Sequence, residues 1–231
     1  MLLRTLLPTS LLLLHAACGG SAASADGSGS DGSSSSSPGS ASDEAPARYG
    51  VESLLVEYRL EGTPSGTETL TFDRFGARER SVAEHVIELG AMRQTTSTTT
   101  LTEGAWITTL DADARRATRT QNPLYDQLVR AADGDVQEVG RRMLEAMGAE
   151  RTGSEEVAGL PCEVWEIPIG NSKSWIWNGV TLRTESRMGP LTTSKVAVRV
   201  EQNPDFDAEH FAVPADWEVV ELDLGRVLGG R

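Results

Sequence analysis

Hydrophobic and polar residues alternate with a period of two over much of the chain after residue 50. The first clear example runs from Leu54 to Leu60, where Leu54, Val56 and Tyr58 share one side. This spacing predicts a β-strand with one buried face. Similar short runs, separated by turn signals, predict further strands in antiparallel succession at 68–72, 77–89, 92–103, 106–110, 115–120, 162–169, 174–177, 196–200 and 217–222.

The strongest hairpin signal in the chain is Asn178-Gly179. A two-residue type I′ turn needs positive φ at both central positions, which Asn and Gly adopt readily. Such a turn would set Trp177 opposite Val180 and Trp175 opposite Leu182, on one face of the hairpin.

A helical pattern interrupts the strands between residues 122 and 148. Asn122-Pro123 is a typical helix start, and apolar residues follow it at helical spacing until Gly134. Asp135 and Glu138 form a capping-box-like pair that opens a second helix, which ends at Gly148. Both predicted helices are amphipathic, so we expect residues 122–148 to cover the sheet as a helical lid.

The first 17 residues have the features of a bacterial secretory signal. A single positive charge at Arg4 precedes a short leucine-rich run, and Ala16-Ala17 precede Cys18. This context resembles a bacterial lipobox, in which the cysteine becomes the lipidated first residue of the mature protein. His15 departs from the usual leucine at its position, and an ordinary cleaved signal with a chance cysteine is the alternative.

Residues 18–47 are predicted to be the lipidated cysteine followed by a flexible tether. Residues 19–47 consist mainly of Ser, Gly and Ala, which cannot bury enough apolar surface to fold. Treated as a random coil, this segment would span roughly 30 Å. The remainder, residues 48–231, suits one folded domain with a substantial core.

The formal net charge of −13 changes which partners we expect. Such acidity disfavours nucleic acid and anionic lipid head groups, so membrane attachment would come from the lipid on Cys18. If Cys18 carries lipid, Cys162 has no partner for a disulfide bond. A lone cysteine close to Val164 and Trp165 is most often a small buried hydrophobe.

Sequence signatures of catalysis are lacking. The chain contains no HExxH motif, P-loop or GxSxG elbow. His85 and His210 lie far apart, and we expect both on solvated strands or turns. Alternating oxygen donors at 203–209 suggest calcium, but Pro204 and the missing central glycine argue against it. We therefore predict a protein that is not an enzyme and has no metal or cofactor.

Three blocks of sequence together resemble the outer-membrane lipoprotein-sorting superfamily, the LolA/LolB-like proteins and their DUF4412-type relatives. Order and spacing of the blocks carry this resemblance. It implies a mainly β fold with an α insert, in which a strongly curved antiparallel sheet, an incomplete barrel, is covered by two helices. It also implies that acyl chains bind between the sheet and the helical lid. The blocks are Thr67 to Arg80, Val157 to Trp165 with Trp175 to Leu182, and Asn203 to Pro214.

Large apolar side chains are the candidate binding residues. Tryptophan and methionine suit a cavity that accepts varied apolar ligands, although core packing is the plainer explanation. The sequence predicts a lipid-anchored envelope protein, on the outer membrane facing the periplasm, that binds lipid or lipoprotein acyl chains. The alternative is a structural or protein-interaction lipoprotein with a filled core. The candidate cavity residues are Trp106, Leu124, Leu128, Met143, Met147, Trp165, Trp175 and Trp177.

Overall fold

Twelve strands form one long, open, curved sheet in the computed structural model, which describes residues 46–223 except 91, 123–124, 126–128, 131–135 and 190. The predicted signal, Cys18 and almost all of the tether lie outside the described residues. The strands are β1 (Leu54–Glu61), β2 (Ser65–Asp73), β3 (Arg78–Leu89), β4 (Met92–Glu103), β5 (Trp106–Asp111), β6 (Arg116–Gln121), β7 (Glu150–Val157), β8 (Leu160–Ile167), β9 (Ser172–Trp177), β10 (Val180–Met188), β11 (Leu191–Gln202) and β12 (Glu218–Leu222).

The strand order across the sheet is β12-β6-β5-β4-β3-β2-β1-β11-β10-β9-β8-β7. Short turns join β1 through β6 and β7 through β11, which makes two antiparallel meanders. The meanders join where β1 pairs with β11 in antiparallel register. The mainly β, curved antiparallel sheet implied by the resemblance, with strands expected from the alternating pattern, is confirmed. The expectation of a wholly antiparallel sheet is wrong for the last strand, because β12 pairs with β6 in parallel.

Two rows of paired residues define the two faces of the sheet. In one row Val56 pairs with Leu70, and Leu70 pairs with Ser81. This is the core face, because a continuous buried cluster covers it. Its members are Val51, Leu54, Val56, Tyr58, Phe72, Val157, Cys162, Val164, Trp175, Val180, Leu182 and Ala197.

The neighbouring row lies on the opposite face. Its residues are partners in strand register across six strands, in the order Thr71, Arg80, Leu101, Thr108, Arg119 and Glu221.

Residues 203–217 connect β11 to β12 and lie against this second row. We call this segment the strap and the face beneath it the strap face. The Ser53 hydroxyl donates to the Pro204 carbonyl oxygen at 2.8 Å, which fixes the start of the strap beside β1. A 3₁₀ turn, Ala208–Phe211, then buries Phe211. Because the strap crosses to β6 without a hairpin, β12 enters the sheet parallel to its neighbour.

The Asn178-Gly179 turn has the predicted conformation. Both residues have positive φ, 47° and 79°. Trp177 pairs with Val180 as expected, but Trp175 pairs with Arg183 and not with Leu182. A bulge between Thr181 and Arg183 inserts the extra residue, and a bulge of this kind leaves no signal in the alternation.

One helix is described along its whole length, α1 (Val136–Ala146). It matches the second predicted helix. Most of the first predicted helix lies outside the described residues, so the two-helix lid is not confirmed. The start of α1 is close to the β9–β10 turn, since a Cβ on Gly179 would lie 3.4 Å from Gln137 Cγ. Just beyond its end, a Cβ on Gly148 would lie 3.9 Å from Pro168 Cγ, so α1 runs along β9.

No helix among the described residues is long and apolar enough to cross a membrane. Strand β7 was not predicted, because its residues Glu150–Glu156 are all exposed and show no alternation.

Candidate functional site

The predicted cavity tryptophans do not line a single space. Trp175 is 2% exposed on the core face, and Trp177 packs partly buried on the same cluster. Trp165 is also buried, but it neighbours Val164 of the core cluster and therefore points to the other face of β8. Trp106 lies in β5 on the strap face. The four indoles are thus divided between the two faces of the sheet.

The remaining predicted site residues belong to the lid and the anchor. Met143 lies in α1 and Met147 follows its last turn, and both side chains are half-buried. Leu124, Leu128 and Cys18 lie outside the described residues.

The core face is filled by aromatic and aliphatic side chains. Tyr58 is 2% exposed, and its hydroxyl donates to the Thr181 carbonyl oxygen at 3.0 Å. Burial raises the pKa of this phenol well above its ordinary value. Lys195 Nζ lies 4.2 Å from the Tyr58 ring centroid and 2.7 Å from Glu68 Oε1. Buried polar groups here have partners within the protein, which is typical of a structural core.

A cavity of about 340 Å³ lies between the strap and the strap face. We call it the strap cavity. Two of its wall residues, Leu101 and Phe211, are 5% and 8% exposed. The outer end of the sheet contributes Val219 of β12, which is 52% exposed and stands at the mouth. The cavity is lined by Leu101, Glu103, Trp106, Thr108, Arg119, Phe211, Ala212, Val213 and Val219.

His210 holds the strap in place above the sheet. Its Nε2 lies 2.8 Å from Thr71 Oγ1, and its carbonyl oxygen accepts from Arg80 Nη1 at 2.9 Å. The imidazole stacks on Phe206 with ring centroids 4.8 Å apart and meets Phe211 edge-on. Burial and the Arg80 charge lower the pKa of His210. His210 lies in a turn, as expected, but it is half-buried there because the turn packs on the sheet.

Arg119 is the basic residue of the strap cavity, and the sequence did not single it out. Its guanidinium carbon lies 4.0 Å from the centroid of the Trp106 ring, within the range of a cation–π contact. Its Nε is buried and has no hydrogen-bond partner. Trp106 and Arg119 occupy diagonal positions on the paired strands β5 and β6, so only the register reveals their contact.

A second cavity of about 460 Å³ opens between the end of α1 and the β8–β9 turn. Charged groups surround it, since Lys173 Nζ lies 3.6 Å from Glu166 Oε1 and 3.9 Å from Glu155 Oε1. Trp175 Nε1 also donates to Glu155 Oε2 at 2.8 Å. These charges already have partners in one another, so the second cavity is a weaker candidate than the strap cavity.

The described residues contain no cluster of His, Cys, Asp and Glu suited to a metal ion. Cys162 is fully buried on the core face, and burial raises the pKa of its thiol. The prediction that Cys162 is a small buried hydrophobe is confirmed.

No family model and no curated protein matches this sequence. Solved structures that resemble this chain include an uncharacterized conserved protein from Thermus thermophilus, with a TM-score of 0.49 and 7% identity over 74% of this chain and 91% of that one. LprF from Mycobacterium bovis gives a TM-score of 0.34 and 12% identity, covering 74% of this chain and 92% of that one.

A putative outer membrane lipoprotein-sorting protein domain from Vibrio parahaemolyticus gives a TM-score of 0.26 and 10% identity, over 71% of this chain and 92% of that one. The solved neighbours therefore include LprF and a lipoprotein-sorting domain, at low sequence identity.

Proposed function

We propose that this protein is a lipid-anchored protein of the cell envelope that binds one apolar chain in the strap cavity and performs no catalysis. The observation that carries the proposal is the chemistry of the cavity wall. Leu101, Trp106, Phe211, Val213 and Val219 supply apolar surface around a space of about 340 Å³. An acyl chain of a lipid or lipoprotein is the ligand class that such a wall favours.

The size of the strap cavity limits the ligand. Pockets for small molecules commonly measure roughly 300–1,000 Å³, so this one lies at the lower end. It has room for one chain and excludes a lipid that must bury several. Transfer of the chain from water would supply about 25 cal/mol per Å² of buried apolar area, before ordering costs.

The site in this proposal differs from the lid site expected from the sequence. Tyr58, Phe72 and Trp175 fill the core face, and the larger second cavity at the end of α1 is surrounded by charged groups, so the strap cavity suits an apolar chain better. Met143 and Met147 still allow a test of whether the ligand binds beneath the lid. If binding depends on them and not on the strap cavity, the ligand lies beneath residues 122–148.

Anchoring through Cys18 would hold the domain at a membrane, and we propose the outer membrane facing the periplasm. An anchored domain suits a protein that accepts or holds a chain better than a free carrier. Cys18→Ala should move the protein from the membrane fraction to the soluble fraction. Unchanged fractionation would contradict the anchor.

Two exposed valines provide a matched test of the cavity. Val219 at the cavity mouth and Val198 in β11 are each 52% exposed, but Val198 does not line the cavity. Val219→Trp should obstruct the mouth, whereas Val198→Trp adds the same indole elsewhere. Native mass spectrometry of the full chain purified from membranes should show bound lipid in the wild type and Val198→Trp, and less in Val219→Trp. Equal occupancy in all three would refute the strap site.

A structural or interaction role is the second candidate function, and the filled core face favours it. A domain stabilised by its own side chains needs no ligand. Absence of co-purifying lipid, together with no change in unfolding temperature on adding dodecanoate, would support this role and overturn the first.

A further inference from the structure

Arg119 lacks the partners that the other arginines of the strap face have. Arg78 Nε donates to Asp73 Oδ1 at 2.9 Å, and Arg80 donates to the His210 carbonyl oxygen. Arg119 has the Trp106 ring beneath it, but its buried Nε has no acceptor. Among the described residues, no carboxylate lies within ion-pairing distance of it. Leaving a buried donor without a partner costs free energy. Because Nε itself is closed to solvent, a ligand in the cavity would meet the guanidinium group at its Nη atoms.

The carboxylate that lines the cavity is placed toward another arginine. Glu103 pairs in strand register with Arg78 on β3 and with Trp106 on β5. Arg119 lies one strand further, on β6, opposite Thr108. The cavity therefore presents an unneutralised cation at its β6 side, in a protein whose formal net charge is −13.

The aromatic ring beneath Arg119 restricts the position of its guanidinium group. A guanidinium held over an indole can still offer N–H donors to a ligand, and these donors match the paired oxygens of a carboxylate or phosphate. Apolar side chains on the remaining walls suit a chain attached to that group. The site thus combines the two halves of an amphiphile in one cavity.

We propose that the strap cavity binds a single-chain amphiphile with an anionic head group, and that Arg119 holds that head group. This inference rests on the proposed function, which requires only an apolar chain. The shared chemistry is an oxyanion on one alkyl chain. A free fatty acid and the phosphate of a single-chain lipid are its two sources.

Four probes with alkyl chains of matched length but different head groups distinguish a carboxylate from a phosphate head group, and an anionic head group from a neutral or cationic one. The full-length protein, stripped of lipid, is titrated by calorimetry with dodecanoate, dodecyl phosphate, dodecanol and dodecyltrimethylammonium. Each ionic probe is kept below its micelle concentration, and dodecanol is kept below its solubility limit. We expect the better anionic probe to bind at least about tenfold more tightly than dodecanol, a difference that one charge-assisted hydrogen-bonded pair can supply. The stronger of the two anions identifies the source of the head group.

Substitutions at Arg119 test its role directly. Arg119→Met keeps an unbranched side chain over Trp106 and removes the charge. The anionic probes and dodecanol should then bind this variant with equal affinity. Arg119→Lys should retain part of the preference, because a point charge replaces the planar donor edge. Arg116→Met is the control. Arg116 is exposed on the same strand, faces the other side and does not line the cavity.

The outcomes separate the inference from the proposed function. Equal binding of dodecanol and both anions to the wild type overturns the anionic head group while the apolar-chain function stands. Binding of none of the probes overturns both. The wild-type comparison needs no variant, so poor folding of Arg119→Met does not remove the test. An anion preference that persists in folded Arg119→Met shows that another residue holds the head group.

Discussion

Tyr49 stacks on Phe72 with ring centroids 4.2 Å apart, although the two residues lie on opposite sides of β1 in sequence. The Tyr49 hydroxyl donates to Glu79 Oε2 at 2.7 Å, and Arg48 Nη2 lies 3.3 Å from the same oxygen. The backbone N–H groups of Arg48 and Tyr49 both donate to the Phe75 carbonyl oxygen. Arg48 and Tyr49, which follow the predicted tether, are therefore fixed where β2 ends and β3 begins.

Replacing Tyr49 should show how much this attachment stabilises the domain. Tyr49→Ala removes the ring from the edge of the core cluster and should lower the free energy of unfolding by about 2–4 kcal/mol. Tyr49→Phe keeps the stack and loses the hydrogen bond to Glu79, which should cost about 1–2 kcal/mol. Urea unfolding of both variants measures the difference. Equal losses would mean that the ring contributes nothing beyond its hydroxyl.

The alternating pattern predicted most of the sheet because burial of one face imposes a period of two. Leu54, Val56 and Tyr58 were recognisable for this reason, and so was the Asn178-Gly179 turn, whose chemistry is local. The buried environment of Cys162 followed from its apolar neighbours.

Features that depend on distant strands could not be predicted in this way. The parallel pairing of β12 with β6 results from the path of the strap, which has no periodicity of its own. The bulge beside Thr181 changes which residue faces Trp175 without altering the polarity pattern. Arg119 reads as an ordinary exposed strand arginine until the register sets it diagonally across from Trp106.

The pH dependence of stability should include a contribution from His210. Burial and Arg80 lower its pKa in the folded protein, so the unfolded chain binds the proton more readily. The stabilisation is therefore complete above the unfolded value of about 6.5 and decreases as the pH falls below it. Wild type should lose stability relative to His210→Gln between about pH 7.5 and pH 5. Urea unfolding at both pH values checks this, and a constant difference would contradict it.

The Cys162 thiol should be unreactive in the folded protein. It is fully buried, and burial raises its pKa, so the reactive thiolate is scarce. In a Cys18→Ala background Cys162 is the sole cysteine. We expect Ellman's reagent to react on the order of 100-fold more slowly without denaturant than with it, since reaction requires opening of the core. Immediate stoichiometric labelling of the native protein would show that the β8 core is open.

Two glycines with the same backbone conformation allow the packing at the β9–β10 turn to be measured. Gly179 has φ +79° and Gly159 has φ +80°, so an alanine at either position pays a similar cost of about 1–2 kcal/mol for the left-handed conformation. A Cβ on Gly159 would meet open space, whereas one on Gly179 would lie 3.1 Å from the Arg48 carbonyl oxygen.

Gly179→Ala should therefore lower the free energy of unfolding more than Gly159→Ala does. The excess measures how firmly the N-terminal segment and α1 are held against the turn, because Arg48 and Gln137 must move to admit the methyl group. Thermal unfolding of the two variants under one set of conditions provides the comparison. Equal losses would mean that these segments give way freely at the turn, which conflicts with the Gly50 N–H donating to the Asn178 carbonyl oxygen at 2.9 Å.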